Sequence, residues 1–278
     1  MLLWSLGCAH RPRPSAHLFA DPVTVMGHRG ARGLAPENTV AALRVAQELG
    51  VPIELDTMLC GSGELVVFHD ETLDRTTDGR GLVSETPLAT IAALDAGAHF
   101  SDATAGEPVP LLSSVLSEFG DLVRINIEVK GARGASAPAL AAAVVSAVES
   151  AGLTEQVIVT SFNPFILEAV RAENPNIFRG QIYGTFRGAD LSGLEKFLLR
   201  NLAFNRRAAP DLLMMEDAHA TRGRLRRLHR RGYRVFVWTV NDEAAVQHML
   251  SVGVDGIITD YPDRVLGWLR SQSGNQGL

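Results

Sequence analysis

Cysteine is scarce in this chain, which has only Cys8 and Cys60 among its 278 residues. Two cysteines provide neither a metal-binding spacing nor a disulfide framework. Cys60 closes an apolar stretch and is expected to be a small buried hydrophobic residue. Long apolar runs are also missing, since no stretch approaches the roughly 18 residues that a membrane-spanning helix needs. A disulfide-rich scaffold and a cysteine-ligated metal centre are therefore excluded.

A strong excess of charge of one sign is lacking as well. The formal net charge is −5, and basic and acidic residues are mixed along most of the chain. No basic stripe indicates a nucleic-acid partner. The arginine-rich stretch from Arg222 to Arg234 is interpreted as the solvated face of a helix. The length and the 46% apolar content match one large α/β barrel domain, although length alone would allow two domains.

The first 21 residues are predicted to be a flexible leader, because their prolines block regular structure. Met1–Gly7 is apolar, and Ser-Leu-Gly-Cys resembles the cleavage box of a bacterial lipoprotein with Cys8 as the acylated residue. However, a positively charged start is absent, and the apolar part falls short of the usual core of about 7–15 residues plus its flank. Two alternatives stay open: the remnant of a lipoprotein signal whose start lies upstream, or a disordered leader. Membrane contact is expected only if Cys8 is lipidated, and the location is either the bacterial cell envelope or the cytoplasm.

From residue 22 onward, short apolar strands alternate with amphipathic helices. Strands are predicted at 23–26, 51–60, 124–129, 157–161, 177–183, 212–215, 234–240 and 254–259, and residues 64–68 either extend the sheet or form a hairpin. Helices are predicted at 38–49, 111–119, 137–150, 164–172, 191–206, 221–231, 242–252 and 262–271. Such alternation predicts a parallel sheet, and eight strand–helix units close a (β/α)8 TIM barrel. The doubly wound alternative usually carries a G-x-G-x-x-G loop after its first strand, and none follows here.

Two carboxylates, Glu54 and Asp56, lie two residues apart in an apolar strand. Period-two geometry places both on one face of that strand, where burial and mutual repulsion require neutralisation. A hard divalent cation with oxygen ligands would supply it. His69 ends the next apolar run, where an imidazole can transfer protons near neutral pH.

Four motifs carry a family resemblance. They are M-G-H-R-G at 26–30, A-P-E-N-T at 35–39, E-L-D at 54–56 and V-V-F-H-D-E-T-L-D-R-T-T at 66–77. In this order and spacing they resemble the glycerophosphodiester phosphodiesterases over about residues 23–270. The resemblance implies a TIM-barrel domain over 22–278 with a small inserted subdomain at about 71–110. It also implies metal-dependent hydrolysis of glycerophosphodiesters to glycerol 3-phosphate and an alcohol. In that family, a glycerol hydroxyl is thought to attack first and to give a cyclic phosphate that water opens.

The ends of the predicted strands supply the residues for this chemistry. Arg29 and Lys130 would bind the anionic phosphate, and Trp238 would form a wall of the glycerol pocket. One cation, Mg²⁺ or Ca²⁺, would be held by Glu54, Asp56 and Glu128. The proton-transfer pair would be His28 and His69, one as base and one as acid.

Several neighbouring residues have more modest interpretations. Asn38 and Thr39 are taken as helix-capping residues. Glu37 is left between a helix-dipole role and an active-site hydrogen bond. Asp74–Arg75 is taken as a structural pair, and Asp70 either orients its loop or touches substrate.

Two alternative functions are retained. One is a lysophospholipase D that accepts a lipid-bearing glycerol, supported by the apolar leader and by segment 184–209 with Phe186, Phe197 and Phe204. The other is a non-catalytic barrel that binds phosphodiesters. The expected partner is a small-molecule phosphodiester, with no nucleic acid, and the oligomeric state and head-group preference stay open.

Overall fold

Eight parallel strands close into a barrel in the computed structural model, which describes residues 10–15, 18–19, 21–131, 136–185, 192–200 and 203–275. The strands, numbered β1 to β9 in chain order, are Thr24–Gly27, Ile53–Leu59, Leu65–Val67, Ile125–Val129, Val157–Ser161, Phe178–Tyr183, Leu212–Glu216, Arg234–Trp238 and Gly256–Thr259. Strand β1 pairs in parallel with both β9 and β2, which closes the barrel. The predicted TIM barrel is therefore confirmed, with strand ends within two residues of the predicted ones.

Among the strands in the described part of the chain, β3 alone runs antiparallel to its neighbour. It pairs with β2, with Thr57 opposite Val67 and Leu59 opposite Leu65. The hairpin alternative for residues 64–68 is therefore the correct one.

Helices surround the barrel in the order that the alternation predicts. Numbered α1 to α10 in chain order, they are Val40–Glu48, Leu88–Ile91, Leu112–Phe119, Ala137–Ser150, Pro164–Glu173, Gly193–Arg200, Asn205–Ala208, Arg222–His229, Glu243–Val252 and Pro262–Asn275. Helix α1 shows the local logic: the Thr39 hydroxyl accepts from the Ala42 N–H at its start. The chain turns out of this helix at Gly50, whose φ is +71°.

The single helix predicted over 191–206 is instead found in two parts. The described residues form α6, Gly193–Arg200, and a separate short helix α7, Asn205–Ala208. Phe204 immediately precedes α7 and packs against Phe165 of α5, with ring centroids 5.5 Å apart and the rings tilted by 55°.

Apolar side chains fill both faces of the strands. The outer face of the sheet packs against the helices, as parallel strands covered by helices require. Inside the barrel, Met26, Phe178, Met214, Phe236 and Ile258 form a second cluster. The barrel is therefore a packed core and not an open channel.

The segment between β3 and α3 forms a small body with its own core. It contains α2 and two short 3₁₀ turns, Val83–Glu85 and Asp102–Thr104. Buried apolar residues from this segment and from the β2–β3 hairpin pack together, including Val83, Ile91 and Phe68. This is the region of the predicted insertion at about 71–110.

Among the first 21 residues, those that the structure describes lie near the N-terminal ends of the barrel strands. Leu18 and Phe19 are buried in the inner cluster, and the Phe19 ring lies 4.9 Å from that of Phe236. The Arg13 guanidinium contacts Asp211 at 2.6 Å. Cys8 lies outside the described residues, so its acylation and the leader as a domain stay predictions. Within the described ranges, no helix combines the length and the apolar character that crossing a membrane requires.

Candidate active site

One cavity of about 290 Å³ opens among the C-terminal ends of the strands. Its polar wall consists mostly of residues predicted from the sequence: His28, Arg29, Glu54, His69, Glu128 and Lys130. Its opposite wall is largely apolar and includes the predicted Trp238 together with Phe162, Ile182, Met214 and Ile258. The remaining predicted residue, Asp56, is 1% exposed and contacts Lys130 of that wall.

Three carboxylates come together at the polar wall, and two of them, Glu54 and Glu128, line the cavity directly. Glu54 and Asp56 come from β2, and Glu128 comes from the adjacent β4, where it is in register with Asp56. One oxygen of each lies within 4.8 Å of the others. Burial, with the charges of Asp56 and Glu128, raises the pKa of Glu54 well above its ordinary value. The cluster is therefore short of positive charge.

The positive side chains of Lys130 and Arg29 partly offset the negative charge of this cluster. The Lys130 ammonium lies 2.5 Å from Glu128 Oε1 and 3.0 Å from Asp56 Oδ1. Burial alone would lower the pKa of Lys130, but the two carboxylates raise it, so the side chain stays charged. The same electrostatics act on Asp56: burial opposes its charge, yet Lys130 and Arg29 hold its pKa below the usual range.

Arg29 is positioned by a tight turn after β1. Its φ of 51° is left-handed, and its backbone N–H donates to Glu54 Oε2 at 2.8 Å. Gly30 follows with a φ of +83°, and a Cβ there would lie 2.5 Å from the Ala42 carbonyl carbon. Gly30 is thus needed for this turn to approach α1 so closely.

The triad fits a hard divalent cation. Asp56 Oδ1 is buried, and apart from its ion pair with Lys130 Nζ at 3.0 Å it accepts no hydrogen bond among the described residues. Oxygens within 4.8 Å of one another need only small side-chain adjustments to reach one cation at the usual distance of about 2.0–2.6 Å. Three oxygen donors with an excess of negative charge are the ligands that Mg²⁺ and Ca²⁺ prefer.

His28 is held by a carboxylate from the far end of the chain. Its Nδ1 lies 2.6 Å from Asp260 Oδ1, and Asn241 Nδ2 donates to the other Asp260 oxygen at 2.8 Å. Its Nε2 lies 4.0 Å from Glu54 Oε2, beside the carboxylate cluster. Burial lowers the pKa of His28, so the neutral imidazole is favoured.

His69 has a similar arrangement within its own loop. Its Nδ1 lies 2.6 Å from Asp70 Oδ1. Burial lowers the pKa of His69 to about 4, although the nearby Asp56 charge opposes this. Each predicted catalytic histidine is therefore oriented through Nδ1 by an aspartate.

A chain of ion pairs links Arg29 to the loop of His69. Glu37 Oε1 accepts from Arg29 Nη1 at 2.6 Å and from Arg75 Nη2 at 2.6 Å. Arg75 Nε also donates to Asp70 Oδ2 at 2.6 Å. We call Glu37, Arg75 and Asp70 the clamp. Glu37 therefore makes the active-site hydrogen bond of the two alternatives. Asp70 contacts His69 and Arg75 of its own loop, and its contact with substrate stays a prediction.

Two of the more modest interpretations were wrong. Arg75 does not pair with Asp74, whose carboxylate instead accepts from the Gly81 N–H at 3.1 Å. Asn38 does not cap α1: its φ is 59°, and its amide donates to Asp56 Oδ2 at 2.9 Å. Thr39 caps the helix as predicted.

Trp238 lies where a pocket wall was predicted. Its ring meets Phe162 edge-on, with centroids 5.7 Å apart. Its indole Nε1 is buried without a hydrogen-bond partner among the described residues. Of the phenylalanines in segment 184–209, Phe197 and Phe204 are not in the cavity wall, and Phe186 lies outside the described residues.

Sequence reasoning missed Asp260, placed Asn241 at a strand end without giving it a role, and assigned Arg75 the wrong partner. Asp260 directly follows β9 and Asn241 lies just beyond β8, so both occupy the strand-end positions that identified the other site residues. The signal was therefore present for these two. Arg75 lies in the insertion, where no periodic pattern marks a neighbour.

Comparisons with known proteins agree with this geometry. Residues 28–264 match the model of the glycerophosphoryl diester phosphodiesterase family. A glycerophosphodiester phosphodiesterase of Caldanaerobacter subterraneus is 36% identical over 251 residues, covering 88% of this chain and 97% of the relative. This chain belongs to the glycerophosphoryl diester phosphodiesterase family.

Solved structures of the family are also similar. An Oleispira antarctica phosphodiesterase, in complex with the product sn-glycerol-3-phosphate, has a TM-score of 0.78 at 30% identity. The match covers 91% of this chain and 99% of that one. A glycerophosphodiester phosphodiesterase from Agrobacterium tumefaciens has a TM-score of 0.71 at 29% identity, covering 87% of this chain and 97% of its own. Family membership makes the chain a phosphodiesterase, and the barrel rim is its candidate active site.

Proposed function

We propose that this chain hydrolyses glycerophosphodiesters to glycerol 3-phosphate and an alcohol, using His28 and His69 for proton transfer beside a divalent cation. The observation that carries the proposal is that both histidines, the carboxylate triad and the positive side chains of Arg29 and Lys130 converge around one cavity. The glycerol 3-phosphate in the Oleispira antarctica relative supports the same substrate class.

The polar wall would bind the phosphate. Arg29 and Lys130 carry positive charge at the cavity, where an anionic diester needs it. Glu54, Asp56 and Glu128 would hold Mg²⁺ or Ca²⁺, which, when bound, polarises a phosphoryl oxygen and offsets its charge. Because Arg29 and Lys130 contact these same carboxylates, the phosphate site and the metal site are electrostatically linked.

The histidines would transfer the protons. Asp260 and Asp70 occupy Nδ1 of His28 and His69, so each ring reacts through Nε2. One neutral imidazole accepts the proton of the attacking glycerol hydroxyl, which gives the cyclic phosphate. The other, protonated because the phosphate anion raises its pKa, donates to the leaving oxygen. Water then opens the cyclic phosphate with the two roles reversed.

Hydrolysis of glycerophosphocholine and lysophosphatidylcholine, measured side by side with Mg²⁺, with Ca²⁺ and with chelator, tests the proposal. We expect metal-dependent release of glycerol 3-phosphate and choline from glycerophosphocholine. Turnover of the lipid alone would favour the lysophospholipase D alternative. Turnover of neither substrate would favour the phosphodiester-binding barrel.

A further inference from the structure

Positive charge is concentrated on one outer helix, although the whole chain has a net charge of −5. The stretch 218–241 is rich in arginine and contains neither aspartate nor glutamate. Helix α8 lies in this stretch and buries Leu225 and Leu228 against the barrel. Its outward side and the turn after it are exposed at Arg222, Arg226, Arg227, Arg230 and Arg231.

Part of this charge has a structural role. Arg222 Nη2 donates to the Ser251 carbonyl oxygen at 2.8 Å, near the end of α9. The Asp255 carboxylate lies 2.8 Å from His229 and 3.8 Å from Arg234. These contacts explain the two ends of the arginine-rich stretch but not its centre.

The centre of the stretch carries charge that the fold does not neutralise. Arg226 and Arg230 lie one helical turn apart, and neither forms an ion pair with a carboxylate in the described part of the chain. The negative end of the helix dipole favours cations here, but like charges four residues apart repel each other. An anionic surface would offset this repulsion.

The end of α8 lies beside the N-terminal segment. A Cβ added at Gly232, just after the helix, would lie 3.3 Å from Pro12 Cγ. The preceding Arg11 is exposed, and the following Arg13 contacts Asp211 immediately before β7. The positive charge is therefore near the N-terminal ends of the strands, on the side of the barrel away from the active-site cavity.

These observations define a surface, which we call the basic face: Arg11, Arg226, Arg227, Arg230 and Arg231. We propose that the basic face docks on the anionic surface of a phospholipid membrane and leaves the active-site cavity facing the water. Charge complementarity carries this proposal, because clustered arginines near an anionic bilayer each strengthen binding. The docking does not depend on the proposed function.

The sequence beside the basic face favours a membrane over a nucleic acid. His10 Nε2 lies 3.0 Å from the Pro210 carbonyl oxygen at the same end of the barrel. Cys8, the predicted acylation site, is two residues upstream, a span of at most about 7 Å. An acyl chain there would enter the bilayer that the basic face contacts, and one chain with a basic patch is a combination that anchors proteins stably. The charge contributes whether or not Cys8 is acylated.

Sedimentation with lipid vesicles tests the proposal. The full chain is mixed with vesicles of phosphatidylcholine alone or with added phosphatidylglycerol. Every protein carries Cys8→Ala, so that an acyl chain cannot contribute, and chelator prevents bridging by divalent cations. We expect binding to the anionic vesicles alone. It should be lost between about 0.1 M and 1 M salt, as the Debye length falls from about 10 Å to 3 Å.

Paired substitutions separate the basic face from the rest of the surface. Arg226→Gln/Arg230→Gln should lower partitioning onto anionic vesicles about 10–30-fold, since each arginine near such a surface contributes about fivefold. Arg226→Lys/Arg230→Lys keeps both charges and should bind as the wild type does. Arg44→Gln/Arg80→Gln removes the same charge from exposed positions on α1 and the insertion, and should also bind normally.

Equal binding to neutral and anionic vesicles, or equal losses in the two Gln pairs, would overturn the proposal. Binding to duplex DNA but not to anionic vesicles would overturn it in favour of a nucleic acid. With metal restored, the vesicle-bound protein should hydrolyse glycerophosphocholine at the rate of the free protein. Hydrolysis that occurs in solution but stops on the vesicles would show that another face docks. The absence of hydrolysis in solution would instead count against the proposed function, so the two failures are distinguishable.

Discussion

The imidazole of His28 and the carboxylate of Asp260 lie 2.6 Å apart, across the junction of the first and last barrel strands. His28 follows β1 and Asp260 follows β9, and these strands pair in parallel from Thr24–Gly256 to Gly27–Thr259. Barrel closure therefore fixes the orientation of a proposed catalytic ring. Asn241 and Arg32 contact the same carboxylate, at 2.8 Å and 3.2 Å, and hold it in place.

Replacing this carboxylate should reduce activity without unfolding the barrel. In Asp260→Asn, the amide is nearly isosteric but cannot stabilise a protonated His28. We expect kcat/KM for glycerophosphocholine to fall by about 10–100-fold, less than the roughly 10²–10⁴-fold that a proton-transfer group itself contributes. Asp255→Asn is a matched control. The Asp255 carboxylate lies 2.8 Å from His229 Nε2, and neither residue lines the cavity. Equal loss in both variants would show that the His28–Asp260 contact has no catalytic role.

Metal binding should be visible in thermal unfolding. A cation that binds only the native state at 100 times its Kd adds about 2.7 kcal/mol to the free energy of unfolding. For a chain of this size, we expect Tm to rise by roughly 5 °C or more on adding Mg²⁺ or Ca²⁺, and to fall again with chelator.

The variant Glu54→Gln should remove that shift without lowering the metal-free Tm. Burial and the charges of Asp56 and Glu128 already disfavour ionised Glu54, as its raised pKa indicates. Glu64→Gln, which alters an exposed carboxylate, should keep the full shift. If neither Mg²⁺ nor Ca²⁺ changes the Tm of the wild-type protein, the proposed metal site is contradicted.

The clamp predicts a loss of stability in acid. Burial opposes the charge of Glu37, but hydrogen bonds from Arg75 and the charge of Arg29 hold its pKa at about 2. In the unfolded chain a glutamate titrates near about 4.3. Because the folded pKa is the lower one, Glu37 stabilises the fold fully above that value and loses this contribution as pH falls towards 2.

Urea denaturation from pH 6 to pH 3 checks this effect. Between those values the wild-type protein should lose on the order of 1–2 kcal/mol more than Glu37→Gln, which has no proton to gain. Glu48→Gln, an exposed control on α1, should follow the wild-type slope. Identical slopes for Glu37→Gln and wild type would mean that the clamp contributes nothing at neutral pH.

Arg75 should be needed for activity although it lies outside the cavity wall. Its guanidinium binds Glu37 and Asp70 together, which a lysine ammonium cannot reproduce with the same planar geometry. We expect Arg75→Lys to lower kcat/KM about tenfold and Arg75→Ala to lower it further, since Arg29 and His69 both lose a support. Arg80→Ala, exposed on the same insertion, should be neutral. Wild-type rates in both Arg75 variants would show that the clamp is not needed for activity.

The strand-borne part of the site could be predicted because strand geometry is local. The two-residue spacing of Glu54 and Asp56 places both on one face of β2 whatever the rest of the fold. Glu128 then meets them because β4 is the neighbour of β2 in a barrel. Trp238 was found in the same way, from its position at the end of β8.

The contacts made by loops could not be predicted in this way. Arg75 meets Glu37 across 38 positions of sequence, through an insertion whose path has no periodic signal. Asn38 precedes a helix and therefore resembled a cap. Its left-handed backbone, which asparagine tolerates, instead directs the amide to Asp56. Asp260 lies at a strand end but in no paired motif, so it was overlooked.

The most direct test of the account is the rate of glycerophosphocholine hydrolysis by metal-loaded His28→Ala and His69→Ala, compared with wild type. His248→Ala, an exposed histidine on α9, serves as the control. We expect each cavity variant to lose about 10²–10⁴-fold in kcat with an unchanged folded state by circular dichroism, while the control keeps the wild-type rate. A cavity variant that turns over at the wild-type rate would contradict the proposed two-histidine mechanism.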